Sequence, residues 1–308
     1  MSLKHVGYVD LPPSRGAGGF DHAAVHRRRA LLYVAHTAND AIDVIDIRAG
    51  QYLRSIEGLQ GVAGSLVDEA NDLVFSSNRG EDTVGVFAPE AESELIKVGV
   101  GVRPNGLAFD PSRHILLSAN VGDPSRPESH TVTLVDVRKH ATLASIPVPG
   151  RTRWTVFDPT RGVFFVNIAD PARIVLIDPD QPKSVAGQFA IPDTGPHGLD
   201  IDPIRQRLYC ACDGGKLVSL DTTSGSVLGV LELSGAPDVI FLDRGLEHLY
   251  VAVGDPGVVD VVDTERWRRL DTMPTERGAH TLAMDEDAHT IYVFLPASHR
   301  ASVFEDEG

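Results

Sequence analysis

Three short segments of the chain carry a histidine behind a small or turn-forming residue and ahead of an apolar run. They read FDHAAV at 20–25, GPHGLD at 195–200 and GAHTLA at 278–283. Imidazole nitrogens and carboxylate oxygens are the donors that first-row divalent metals take, and three or four of them leave room for water or substrate. His22, His197 and His280 are therefore candidate metal ligands, with Asp238 as the acid among them. A divalent ion held in this way (zinc, iron, manganese or magnesium) would polarise a carbonyl or activate water. A histidine beside a turn can equally donate to a neighbouring carbonyl and support the turn. Which reading holds depends on whether the three segments are copies of one structural unit.

The chain is organised by such a unit. One β-rich segment ending in an acid or turn residue is written seven times: AIDVIDI, TVGVFAP, TVTLVDV, RIVLIDP, KLVSLDT, VVDVVDT and ASVFEDE. Measured at Asp46, Ala88, Asp136, Asp178, Asp221, Asp263 and Glu305, the steps are 42, 48, 42, 43, 42 and 42 residues. Each copy is preceded by an aromatic or β-branched run such as LLYVAH or RLYCAC, and before that by a run ending in an Asp-Pro-like turn. A fourth run follows. Four short antiparallel strands every 42 residues or so are the mark of a propeller blade. The expected fold is all-β, a seven-bladed β-propeller of four-stranded antiparallel blades forming a single domain over 1–308. Only six complete fourth strands are present, and HVGYVDLP at 5–12 has the pattern of the seventh. It is expected to pair onto the last blade and close the ring, leaving no exposed strand edge there.

The segment YVAHTANDAIDVID at 33–46 resembles the YVTN-type propeller repeat, and LLSAN (116–120), LYCACDGGKLVSLD (208–221) and LYVAVGDPGVVDVVD (249–263) follow the same pattern. That class includes lactonase-like enzymes, lyases, redox proteins and binding scaffolds. GPHGLDID at 195–202 is similar to the Pro-His-Gly element of virginiamycin B lyase-type propellers. The resemblance implies axial histidines, here His197 and His280, working with a magnesium ion to open a lactone by elimination.

In a propeller the first strand of each blade lines the central channel. Aligned on the second strand, the inner strands place His22, Ala63, Asn105, Arg153, His197, Asp238 and His280 at one mouth. The distance from ring residue to second-strand marker is 11 residues in six blades and 10 in the first, read as a one-residue deletion. His197, Asp238, His280 and His22 then fall on four successive blades. Arg153 can hold a carboxylate or phosphate bidentately, or form a structural pair with an acid such as Asp170. Asn105 and Trp154 complete the expected substrate contacts, although Trp154 could instead point into blade packing. His36 is a possible additional ligand at a loop edge. The one long departure from the repeat, VGDPSRPESH at 121–130, could act as a partial lid.

The expected function is a metal-dependent enzyme acting on a small, anionic molecule at the axis, by lactone or ester hydrolysis or by elimination. His197, His280 and Asp238 would be catalytic. A ferrous oxygenase is a subsidiary version. The alternative is a non-catalytic propeller binding a small ligand or a protein. A net charge of −15 argues against nucleic-acid backbones, and no apolar stretch is long enough for a membrane span. No nucleophile elbow, phosphate loop or dinucleotide fingerprint occurs. Cys210 and Cys212, on one face of a strand, suit two reduced thiols and a cytoplasmic location. A periplasmic or secreted one would follow if a leader had been removed ahead of Met1-Ser2-Leu3.

Overall fold

In the computed structural model, which describes residues 3–308, seven four-stranded antiparallel sheets form a ring. Met1 and Ser2, where the question of a removed leader arises, lie outside the described residues. Blades one to six run in chain order from the inner to the outer strand, over residues 20–57, 62–99, 104–147, 152–190, 196–232 and 237–274. The seventh has three strands between residues 282 and 306, and its fourth is Leu3–Asp10, antiparallel to Arg300–Asp306. The expected closure is thus present.

The hydrophobic pattern explains the layout. Second and third strands such as Leu31–His36 and Ala41–Asp46 are buried almost throughout, being sandwiched between neighbouring blades. Outer strands such as Val227–Glu232 keep much of their surface in solvent. The core is accordingly a series of inter-blade layers. One of them packs Phe75, Val84 and Val98 of the second blade against Leu107, Phe109 and Leu116 of the third. The aspartates that end the third strands shape the following turns: Asp46 accepts from the N–H groups of Arg48 and Ala49 at 2.9 Å each, and Asp221 accepts from Ser224 N at 2.7 Å. The thiols of Cys210 and Cys212 are buried and unbridged. Among the described residues no helix is long and apolar enough to cross a membrane.

One local irregularity positions the site. In most inner strands the ladder to the second strand pairs at the first residue, breaks, and resumes three residues later: Phe20/Ala23, Pro104/Leu107, Thr152/Thr155, Pro196/Leu199 and Pro237/Ile240. Such a bulge bends the strand and releases the residues inside it from pairing. Their backbone groups find partners on adjoining elements: Asn167 Nδ2 donates to the carbonyls of His197 (2.9 Å) and Gly198 (3.2 Å), Ser77 Oγ to Asn105 O (2.7 Å), and Thr281 Oγ1 to Asp21 O (3.0 Å). Where the second bulge residue is glycine, the next blade comes close. A Cβ on Gly198 would lie 2.3 Å from Asp238 O, and one on Gly106 would lie 2.5 Å from Arg153 O.

The closing strand buries Leu3 and Val9, and Leu11 follows it into the core. At roughly 1.5–3 kcal/mol per buried aliphatic side chain, deleting residues 1–12 is expected to lower the Tm by about 10 °C or more. An unchanged Tm in a thermal scan of the truncated protein contradicts closure by this strand.

Candidate functional site at the channel mouth

The ladder register corrects the expected ring in the first blade. Phe20 pairs with His36 and Ala23 with Val34, as Pro196 pairs with Cys212 and Leu199 with Cys210, so the equivalent of His197 is Asp21. There is no deletion. His22 is the second bulge residue, equivalent to Trp154 in the fourth blade and Gly198 in the fifth. The ring at the mouth is therefore Asp21, Ala63, Asn105, Arg153, His197, Asp238 and His280.

His197 is the hub of this ring. Its Nδ1–H donates to Asp213 Oδ1 at 2.7 Å, and its Nε2 lies 3.0 Å from Asp238 Oδ1 and 3.0 Å from Arg153 Nη1. A single nitrogen cannot both donate to the carboxylate and accept from the guanidinium, and the charges decide between them. Burial favours neutral His197, but the charge of Asp238 and the hydrogen bonds to Asp213 and Asp238 outweigh it and push the imidazole up to about 9. His197 is thus an imidazolium that donates to both acids, and Arg153 turns Nη2 to Asp213 Oδ2 at 3.2 Å. Asp238 shows the converse. Burial would raise its carboxyl, yet the charge and hydrogen bond of His197, followed by the charges of His280 and His22, hold it well below the usual carboxylate range.

The other half of the ring is organised by Arg79, from the turn after the second strand of blade two. Its Nη2 donates to Asn105 Oδ1 at 2.5 Å and lies 3.4 Å from Asp21 Oδ2. Arg151 enters from the segment ahead of the fourth blade. It is exposed overall, but its guanidinium is partly desolvated, and that cost together with the nearby charges of Arg153, Arg103 and Arg79 pulls it below the ordinary arginine range. The charges of three guanidinium groups, Arg153, Arg103 and Arg79, therefore act on a fourth, Arg151.

Trp154 packs against two of the core clusters, in keeping with the blade-packing alternative, and also faces the channel. Its ring reaches the channel and sits 4.0 Å, centroid to centroid, from that of His22, with Phe241 at 6.2 Å in an edge-on contact. These rings floor the polar mouth. The channel beyond them opens into a cavity of about 340 Å³, lined by Leu107, Phe109, Phe157 and Leu199 among others, with Asp200 as one of its few acids. His22 is buried, and desolvation lowers its basicity. His280 donates Nδ1–H to Gly278 O at 2.8 Å.

Other expectations are redirected. His36 is fully buried rather than at an exposed loop edge: Nδ1 meets Asp43 at 2.7 Å and the ring packs on Phe20. Arg153 pairs with Asp213 and His197, not with Asp170. Asp21, Arg79, Arg103, Arg151 and Asp213 were not anticipated. The constant 11-residue spacing pointed to Asp21, whereas the other four lie in connections: Arg79 and Asp213 each follow a second strand, and Arg103 and Arg151 each precede an inner strand.

The donor set does not fit a metal as the side chains stand. Both ring nitrogens of His197 face carboxylates, Nδ1 at 2.7 Å from Asp213 and Nε2 at 3.0 Å from Asp238, and Nε2 of His22 faces Asp21 Oδ1 at 3.3 Å. Among the described residues no three His, Cys, Asp or Glu side chains are grouped so as to hold an ion.

The fold and the mouth define a seven-bladed β-propeller with a cationic axial cluster. Among solved structures, the chain is similar to Kuenenia stuttgartiensis hydrazine synthase, at 15% identity and a TM-score of 0.84, over 97% of each chain. It is also similar to a chain in the crystal structure of a mitotic checkpoint complex, at 10% identity and a TM-score of 0.81, over 98% of this chain and 91% of that one. At these identities the likeness is one of fold. No family model and no curated protein sequence matches the chain.

The His197 pairing makes stability depend on pH. The folded state keeps the proton up to about pH 9, whereas the unfolded chain releases it near 6.5. The resulting stabilisation is full below pH 6.5 and is lost as the pH rises through 9. The Tm advantage of the wild type over His197→Gln should shrink across that window; a difference that stays constant from pH 6 to 10 contradicts the assignment.

Proposed function

We propose that the channel mouth binds a small molecule carrying a carboxylate or phosphate, and that the cationic cluster stabilises negative charge developing on its oxygens. The observation that carries this reading is that Arg79, Arg103 and Arg153 all lie close enough to Arg151 for their charges to act on it, in a chain whose net charge is −15. Bringing like charges together costs energy, and an anion among them recovers it. Guanidinium groups also match planar carboxylates and phosphates in shape. Arg79 and Arg153 each retain a buried Nε–H without a protein partner, so hydrogen-bonding capacity remains at the site.

The chemistry available to such a mouth is electrophilic. His197 is a charged donor, and Asp238 and Asp213 keep it so. Asp238 is too weak a base to abstract a proton readily, so its role is to hold and orient the imidazolium. Opening a lactone or ester places negative charge on oxygen, and fixed cations stabilise that change. This supports a hydrolytic or lyase-type reaction, in keeping with the lactonase-like, YVTN-type pattern of residues 33–46. Non-catalytic capture of the same anion is the alternative, and turnover of a lactone panel separates the two.

Trp267→Phe leaves Trp154 as the sole tryptophan, next to Arg153. In that background, titration with citrate or inorganic phosphate should give a saturable emission change. The affinity should fall at least about tenfold in Arg153→Gln and also as salt is raised. No saturable response up to tens of millimolar contradicts the reading.

A metal-bound state is a second reading, favoured by one feature: Asp238 lies close enough to His197, His280 and His22 to respond to the charge of all three. It requires His197 to surrender a proton. Elemental analysis of untagged protein after incubation with zinc or manganese tests it. About one ion per chain, lost in a His197→Ala/His280→Ala double variant, is the expected result, and a metal-free protein rules it out.

A further inference from the structure

The 121–130 insertion lines a cavity of about 410 Å³ between the rims of the third and fourth blades, together with Arg103, Arg151 and Asp170, among others, and contributes Pro124, Pro127 and His130 to its wall. The insertion has a defined shape. Gly122 N donates to Val102 O at 2.9 Å, Asp123 N to Ser129 Oγ at 2.7 Å, and Ser129 Oγ to Arg126 O at 2.6 Å. His130 Nδ1 lies 2.7 Å from Val121 O; a carbonyl only accepts, so Nδ1 carries the proton and Nε2 is left without a partner among the described residues.

Two guanidinium groups face this space uncompensated. Arg103 uses its backbone N–H on Asp82, at 2.8 Å, and Arg151 its carbonyl on Ala169 N, at 2.9 Å. Neither side chain has a carboxylate within ion-pair distance among the described residues. The opposing charge on the wall is Asp170, so two cations stand against one acid. Arg151 belongs to both places: it lines this cavity, and the charges of Arg153 and Arg79 at the axis reach it.

We propose that this cavity is a second anion subsite, and that the ligand of the mouth is an elongated dianion with one acidic group near Arg153 and the other between Arg103 and Arg151. The proposal rests on the anion-binding reading above and adds the class of ligand: two carboxylates, or a carboxylate and a phosphate, joined by a short spacer. Arg103 and Arg151 are placed as specificity-determining contacts.

The test compares butyrate with succinate, glutarate and adipate by calorimetry on the full chain. Wild type should bind at least one dicarboxylate about tenfold or more tightly than butyrate. Arg103→Gln and Arg151→Gln should erase that preference, lowering dicarboxylate affinity about tenfold while weakening butyrate by a much smaller factor and leaving Tm unchanged, since neither side chain holds another residue in place. Arg151→Lys, which keeps the charge, should retain part of it. A wild type without the preference, or a preference that survives in both Gln variants, overturns the subsite. If butyrate binding is then still lost in Arg153→Gln, the axial reading stands without it. Dicarboxylate binding that is sensitive to Arg103→Gln and Arg151→Gln but indifferent to Arg153→Gln overturns the axial reading instead, and with it the two-headed ligand. Failure of wild type to bind any of the four acids overturns both.

Discussion

The break in the inner-strand ladder is the constraint on which the rest of the mouth depends. A regular antiparallel strand would send alternate side chains into the neighbouring blade and commit every backbone group to pairing. By skipping from Pro196 to Leu199, and likewise in other blades, the chain frees two residues per blade at the channel entrance. The first of these builds the ring of Asp21, Asn105, Arg153, His197 and Asp238. The second is glycine where a neighbouring backbone must approach, and His22 or Trp154 where the channel has room for a ring.

Charge then determines what the entrance can do. His197 lies between two carboxylates and beside a guanidinium, and only its protonated form satisfies both acids. Both ring nitrogens of His197 are thereby engaged by carboxylates. The surplus positive charge lies at the rims of the third and fourth blades, at Arg103 and Arg151, where the insertion lines the same cavity. Trp154, His22 and Phe241 separate this polar end from the mainly apolar cavity beyond, so the two parts of the channel offer different environments to a ligand.

Much of this was legible in the sequence, for physical reasons that also explain what was not. A blade cannot bury its faces alone, so its strand pattern must recur, and the 42-residue period revealed the ring, the blade count and the closing strand. The ring positions were legible wherever the spacing to the second strand was kept. In the first blade a histidine one residue away drew the alignment from Asp21, because a bulge abolishes the alternation that would have distinguished the two. Asp213, Arg79, Arg103 and Arg151 sit in turns, whose sequences are free of the repeat and whose side-chain directions depend on tertiary packing. The direction of Trp154 was undecidable for the same reason, since the second bulge residue faces the channel only if the adjoining blade leaves it space.

The ionisation state of His197 decides between a cationic entrance and a set of neutral ligands. It can be read directly from the imidazole nitrogen and carbon shifts in an NMR titration, with His197→Gln to assign the resonance. The account predicts that His197 titrates near pH 9, with both ring nitrogens protonated at neutral pH. A midpoint at or below the ordinary value of about 6.5, with one nitrogen bare at pH 7, would contradict it.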